Sequence, residues 1–158
     1  MVTQHGPVVL RVCRALLPAH DAEDAAADAF LAALEAYPRL RAGSDIRAWL
    51  VTIAHRKALD ILRRRARHAV PVAEVPQTPG GTEPAVADEP LWTAVRALPD
   101  KQRHAVAYRY AADLAYADIA AVMGTSEAAA RRNAADGIQA LRRSYRPEFD
   151  ALLNQEMP

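Results

Sequence analysis

The stretch Pro71–Pro90, PVAEVPQTPGGTEPAVADEP, limits what this chain of 158 residues can fold into. It holds five prolines, the adjacent pair Gly80 and Gly81, four acidic residues and no basic one. Proline lacks the backbone donor and its ring clashes with the preceding helical turn, so neither a helix interior nor a central strand runs through such a segment. The chain therefore divides into a unit of residues 1–70, an acidic linker of residues 71–90, a second unit of residues 91–146 and a tail of residues 147–158. At ~3.3 Å per residue the extended linker spans up to ~65 Å, so the two units are expected to move independently.

Both units read as helical. Residues 7–17 carry Val8, Val9, Val12, Cys13, Leu16 and Leu17 on one side, with Pro7 at the start and Pro18 at the end. Asp21 is the expected N-cap of a second helix reaching Tyr37, with Glu23 and Asp24 where the helix dipole favours negative charge. Its inward side is read as Ala26, Phe30, Ala33, Leu34 and Tyr37, and Asp21, Asp24, Asp28 and Glu35 form an acidic outer face. After a loop containing Gly43, DIRAWLVTIAHRKALDILRRR places Ile46, Trp49, Leu50, Ile53, Ala54, Ala58, Ile61 and Leu62 on one stripe. His55, Arg56, Asp60, Arg63, Arg64 and Arg67 fall opposite.

In the second unit, residues 91–98 form a short helix and Pro99 starts the next. YADIAAVM is a compact helix over residues 116–123. Gly124 suits the left-handed position after a helix, and Ser126 can cap the helix that follows. That spacing is a helix-turn-helix, whose second helix enters the DNA major groove. No strand pattern occurs, so the fold class is all-α: two small helical domains joined by a flexible linker, the C-terminal one a helix-turn-helix.

Net charge is only +1, but it is unevenly spread: +4 over residues 1–70, −4 over residues 71–90 and +1 over residues 91–158. Basic patches are local. The lone Cys13 precludes an intrachain disulfide and fits a cytoplasmic location. The N-terminus shows no basic region followed by an apolar run, and no apolar stretch approaches the roughly 20 residues of a membrane span. The five histidines lack metal-ligand spacing, and neither a phosphate-binding glycine loop nor a nucleophile motif is present. No cofactor and no metal are expected, and the chain does not read as an enzyme.

Two helical domains in this order resemble the extracytoplasmic-function group of sigma factors, the promoter-recognition subunits of bacterial RNA polymerase. Three segments carry the likeness. DAEDAAADAFLAAL is similar to the polymerase-binding segment, DIRAWLVTIAHRKALDILRRR to the segment that opens and reads the downstream promoter element, and LPDKQRHAVAYRYAADLAYADIAAVMGTSEAAARR to the domain that reads the upstream element. Together they cover nearly all of residues 7–145. The recognition helix departs from the family pattern at Asp136 and Gly137.

The resemblance implies core RNA polymerase and promoter DNA as partners, an anti-sigma factor as a further one, no membrane association and a monomer when free. It implies polymerase binding by Asp21, Asp24, Asp28 and Leu31. For the downstream element it implies contacts from Arg41, Ser44, Asp45, His55, Arg56, Arg63, Arg64 and Arg67. For the upstream element it implies Thr125, Ser126, Arg131, Arg132 and Asn133; arginine prefers guanine edges or phosphate and asparagine prefers adenine. For Asp136, at i+4 from Arg132, two roles stay open: pairing with Arg132 to fix its rotamer, which the spacing favours, or repelling the phosphate backbone. Two other readings remain open: a stand-alone helix-turn-helix regulator and a sigma-like interaction module that no longer reads promoters.

Overall fold

The computed structural model describes residues 2–68 and 89–144. Seven α-helices and no strand occur among them. The first three are α1 (Val2–Leu16), α2 (Ala19–Ala36) and α3 (Ile46–His68), followed by α4 (Glu89–Arg96), α5 (Asp100–Val106), α6 (Tyr116–Met123) and α7 (Glu127–Ser144). A 3-10 turn, Tyr37–Arg39, follows α2, and a π-helical turn, Ala107–Ala111, follows α5. The greater part of the expected linker and the whole tail lie outside the described residues, but Glu89 and Pro90 already belong to α4.

Helix α1 begins earlier than Pro7, at Val2. Proline in its second turn removes a single helical hydrogen bond, which the burial of α1 outweighs. His5, Val9, Val12, Cys13, Ala15, Leu16 and Leu17 are all buried. At 3.6 residues per turn they sweep more than half the circumference, so α1 is covered on two sides. One side meets α2 and α3; the other meets α4, α5 and the π turn of the second unit. A single hydrophobic cluster accordingly runs through both units.

The expected independence of the two halves is therefore corrected: they dock. The docking is polar as well as apolar. Arg96 of α4 donates from Nη1 to the carbonyls of Arg14 (2.9 Å) and Leu17 (3.4 Å), covering the C-terminal acceptors of α1. Arg47 of α3 lies 3.9 Å from Asp113. The linker composition permits separation but does not prevent α1 from offering a second apolar side.

Helix α2 differs from its expected form at both its start and its face. It starts at Ala19 behind an extended Pro18, whose carbonyl accepts from the Ala22 amide at 2.9 Å, so Asp21 lies inside the first turn and is not the N-cap. Its buried side is Ala22, Ala25, Ala26, Ala29 and Ala33, while Leu34 and Tyr37 are 58% and 52% exposed. Small side chains let α1 and α3 approach closely, and the helical period then turns Leu34 outward.

Asp45 caps α3: its carboxylate accepts from the Ala48 amide at 3.1 Å. Leu50, Val51, Ala54 and Ala58 of α3 are buried; Ile46, Trp49, Ile53, Ile61 and Leu62 are half-buried around them. In the second unit α6 has the expected bounds, Gly124 is left-handed (φ 67°, ψ 39°), and the Ser126 hydroxyl accepts from the Ala129 amide at 3.1 Å. Gly137 explains its own presence in α7. A Cβ there would stand 2.5 Å from Val106 Cγ2 and 3.3 Å from the Gln102 carbonyl, so its absence lets α7 lie against α5.

Candidate functional site

Three surfaces carry the residues singled out in the sequence. The first joins α2 to the end of α3. Asp21 is buried in an ion pair with Arg65, which engages one arginine of the Arg63–Arg65 run while leaving it exposed. Asp24, Ala27 and Asp28 line a groove with Ile61, Arg64 and His68. Leu31 stands beyond it, 62% exposed, with exposed Leu34 nearby on the same helix. Asp24, Asp28 and Leu31 thus share an open surface, whereas Asp21 ties α2 to α3.

The second surface is the edge of α3. A helix of 23 residues is about 34 Å long, so the loop before it and the arginines at its end are far apart. In the loop, Arg41 is exposed and its carbonyl accepts from the Ser44 hydroxyl at 2.7 Å, with Gly43 in the left-handed region at φ 82°. Ser44 and Asp45 therefore shape the turn and start the helix. Arg56, Arg64 and Arg67 are exposed and make no ion pair with a described residue, and Arg63 stands 4.0 Å from Asp60.

His55 is placed differently from its expected open position. Its Nδ1 is hydrogen-bonded to the Tyr108 hydroxyl of the π turn. The rings of His55 and His104 meet edge to face with centroids 5.3 Å apart, and His104 stacks on Tyr108 at 6.1 Å. Tyr108 is fully buried and His104 nearly so, with its Nε2 unpaired. Burial, then the neighbouring His55 and Arg103, push the His104 pKa down to about 4, against a weaker upward pull from Asp100. Burial lowers His55 as well, helped by Arg56 and Arg63. Burial raises the Tyr108 phenol well above its ordinary value. With both groups held neutral, His55 Nδ1 and the Tyr108 hydroxyl share one hydrogen bond between uncharged partners. The second unit thus covers part of the α3 edge.

The third surface is the start of α7. Arg131 and Arg132 are exposed, Asn133 is half-buried, and Thr125 and Ser126 form the exposed turn before them. Arg131 pairs with Glu127 at 3.2 Å, and its guanidinium carbon lies 4.5 Å from the centre of the Tyr116 ring. The expected Arg132–Asp136 pair does not form: neither residue has an ion-pair partner among the described residues. One turn nearer the helix start, Glu127 meets Arg131 at the same i,i+4 spacing and in the favourable acid-first order.

Two residues here escaped the sequence reading. Arg109 donates to the Leu114 carbonyl at 3.0 Å, and its guanidinium carbon lies 4.7 Å from the same Tyr116 ring. The π turn and the left-handed Asp113 (φ 53°) intervene between Arg109 and Tyr116, so no helical period links the two in sequence.

A family model described as Sigma-70 region 2 matches residues 1–68, and one described as Sigma-70, region 4 matches residues 88–141. Together these two models of one family cover well over half of the chain. Among solved structures, the sigma factor RpoE in complex with the anti-sigma factor NepR from Bartonella quintana superposes with a TM-score of 0.72 at 23% identity, covering 89% of this chain and 93% of that one. CnrH in complex with the cytosolic domain of CnrY superposes at 0.66 with 22% identity, covering 98% and 86%. At these identities the likeness is one of fold. No curated protein sequence matches the chain significantly. No helix among the described residues is long and apolar enough to cross a membrane.

Proposed function

The chain belongs to the sigma-70 family, with the two-domain make-up of its extracytoplasmic-function group, and from that premise we propose that it binds core RNA polymerase and directs it to promoters. The observation that carries this reading is that each matched region presents an exposed basic helix edge: Arg56, Arg63, Arg64 and Arg67 on α3, and Arg131 and Arg132 on α7. Such edges neutralise phosphate, and arginine also reads guanine. Asp24, Asp28 and Leu31 supply the polymerase-binding surface, an acidic and apolar patch suited to a basic partner. The polymerase carries out the chemistry; the chain positions it.

The docked arrangement adds a requirement. Single-stranded bases approaching the middle of α3 would meet Tyr108 and His104 where His55 lies. Downstream reading along the whole edge therefore follows separation of the halves, with polymerase holding them apart. An inhibitory partner fits the same scheme by keeping them together; the two solved relatives above were each captured with such a partner or with a cytosolic domain.

The test is transcription in vitro from a promoter library by core polymerase with and without the chain. A shared pair of elements among transcripts made only in its presence supports the reading. Operator binding by the chain alone would favour the stand-alone regulator. Polymerase binding without promoter selection would favour the interaction module.

A further inference from the structure

The α7 surface contains an arrangement that a solvated basic helix does not need. Two guanidinium groups converge on one aromatic ring, Arg131 at 4.5 Å and Arg109 at 4.7 Å from the Tyr116 centroid. Like charges repel, so each must be held. Arg109 is held by the Leu114 carbonyl at 3.0 Å, Arg131 by Glu127 at 3.2 Å, and both by the negative face of the ring. The two cations come from different elements, the π turn and the first turns of α7. Tyr116, the first residue of α6, is the point where they meet.

We propose that Tyr116 is a positioning residue for upstream promoter reading, its ring fixing the directions of Arg131 and Arg109 so that Arg131 meets the DNA already oriented. This rests on the reading of α7 as the helix that contacts the upstream element. An arginine on a free surface loses rotamer freedom on binding, and a side chain restrained beforehand loses less. The ring adds direction without neutralising charge, so its effect falls on selectivity and not on the number of phosphate contacts.

The experiment uses holoenzyme assembled from core RNA polymerase and the full chain, with templates randomised over the upstream element. Wild type, Tyr116→Phe, Tyr116→Leu, Glu127→Gln and Arg131→Ala are compared for sequence enrichment and for salt dependence of template binding. Arg131→Ala is expected to lose enrichment at the positions it reads and to reduce the salt slope by about one. Tyr116→Leu is expected to reduce that enrichment roughly two- to fivefold, the scale of an exposed cation–π contact. Its salt slope should stay at the wild-type value. Tyr116→Phe, which keeps the ring, should restore enrichment. If Tyr116→Leu fails to fold by circular dichroism, Glu127→Gln decides, since it loosens Arg131 from its other side without touching the core.

Full enrichment by both Tyr116→Leu and Glu127→Gln would overturn the proposal. So would a Phe variant as defective as Leu, which would assign the effect to the hydroxyl. Wild-type holoenzyme that transcribes the library with no upstream preference would instead overturn the underlying reading of α7.

Discussion

Helices α3 and α7 are both amphipathic, both carry an arginine-rich edge, and both are proposed to face promoter DNA, yet they stand in different states of readiness. On α7 the reading side is open, and Arg131 is braced between Glu127 and Tyr116. On α3, Arg65 is engaged with buried Asp21 and His55 lies under Tyr108 and His104 of the other unit. A basic helix face is thus not a free face by composition alone. Packing on the rest of the chain decides which cations remain for a ligand. In this molecule the proposed upstream reader is prepared and the proposed downstream reader is capped.

The largest change to this contrast comes from Tyr108. Its side chain is fully buried at the junction, so Tyr108→Ala is expected to cost about 3–5 kcal/mol in denaturant unfolding and to expose the α3 backbone to hydrogen exchange. The α6–α7 turn should keep its exchange protection relative to global stability. Tyr108→Phe removes only the hydroxyl that reaches His55 and should cost about 1 kcal/mol. Equal effects of the two variants would show that the junction rests on the hydrogen bond and not on the ring.

Acid should separate the two regions without mutation. His104 and His55 both have pKa values below 6.5 when docked, so the docked form binds fewer protons than the released one. Docking is then at full strength above about pH 6.5 and weakens as pH falls toward the docked value of about 4 for His104. Against a fully solvated imidazole the loss for His104 is on the order of 3 kcal/mol across that window, which is an upper bound on the share that docking carries. Tyr108, Arg103, Asp100, Arg56 and Arg63 surround the pair, and of these only Asp100 opposes the trend. His104→Phe should flatten the profile. A junction whose stability between pH 7 and 5 is the same in wild type and His104→Phe would contradict the assignment.

Gly137 sharpens the comparison from the other side. Helix propensity alone favours Gly137→Ala by up to about 1 kcal/mol. Overpacking against Val106 and the Gln102 carbonyl costs about 1–3 kcal/mol, so net destabilisation of the second unit is expected in thermal unfolding. A net gain would mean that α5 and α7 have room to part.

The smallest expected effect on stability is at the surface proposed to bind polymerase. Asp24 and Asp28 are exposed, so replacing both by arginine should change stability by less than about 0.5 kcal/mol. The same variant should lose co-purification with core RNA polymerase. Asp21→Arg should behave differently, since it replaces the buried carboxylate that pairs with Arg65 of α3 and loosens the first unit itself.

What was legible in the sequence follows the range of the signals. Helix α6, the left-handed Gly124 and the Ser126 cap were read residue for residue because caps act over a few positions. The face of α2 was misread because leucine and tyrosine weigh more in a hydrophobic pattern than alanine. Here close approach to α1 and α3 selected Ala22, Ala25, Ala29 and Ala33 and left Leu34 outside. The expected pair of Asp136 with Arg132 does not form, and the pair that does, Glu127 with Arg131, lies nearer the helix start. Docking was out of reach, because it depends on the second buried side of α1 finding α4 and the π turn across the unreadable length of the linker. That His55 and Tyr108 would meet is a consequence of this docking and of nothing local.

The central claim, that the free chain holds its halves docked with the middle of α3 covered, is tested most directly by a distance distribution between them. Spin labels at Arg56→Cys on α3 and Arg132→Cys on α7 occupy exposed positions. The native Cys13 does not compete for label, being buried with its thiol pushed up to about 12 by desolvation. At pH 7.5 one narrow distance is expected in double electron–electron resonance, broadened by Tyr108→Ala and replaced by a longer one on adding core RNA polymerase. A broad distribution in the free wild-type chain, unchanged by Tyr108→Ala, would contradict it.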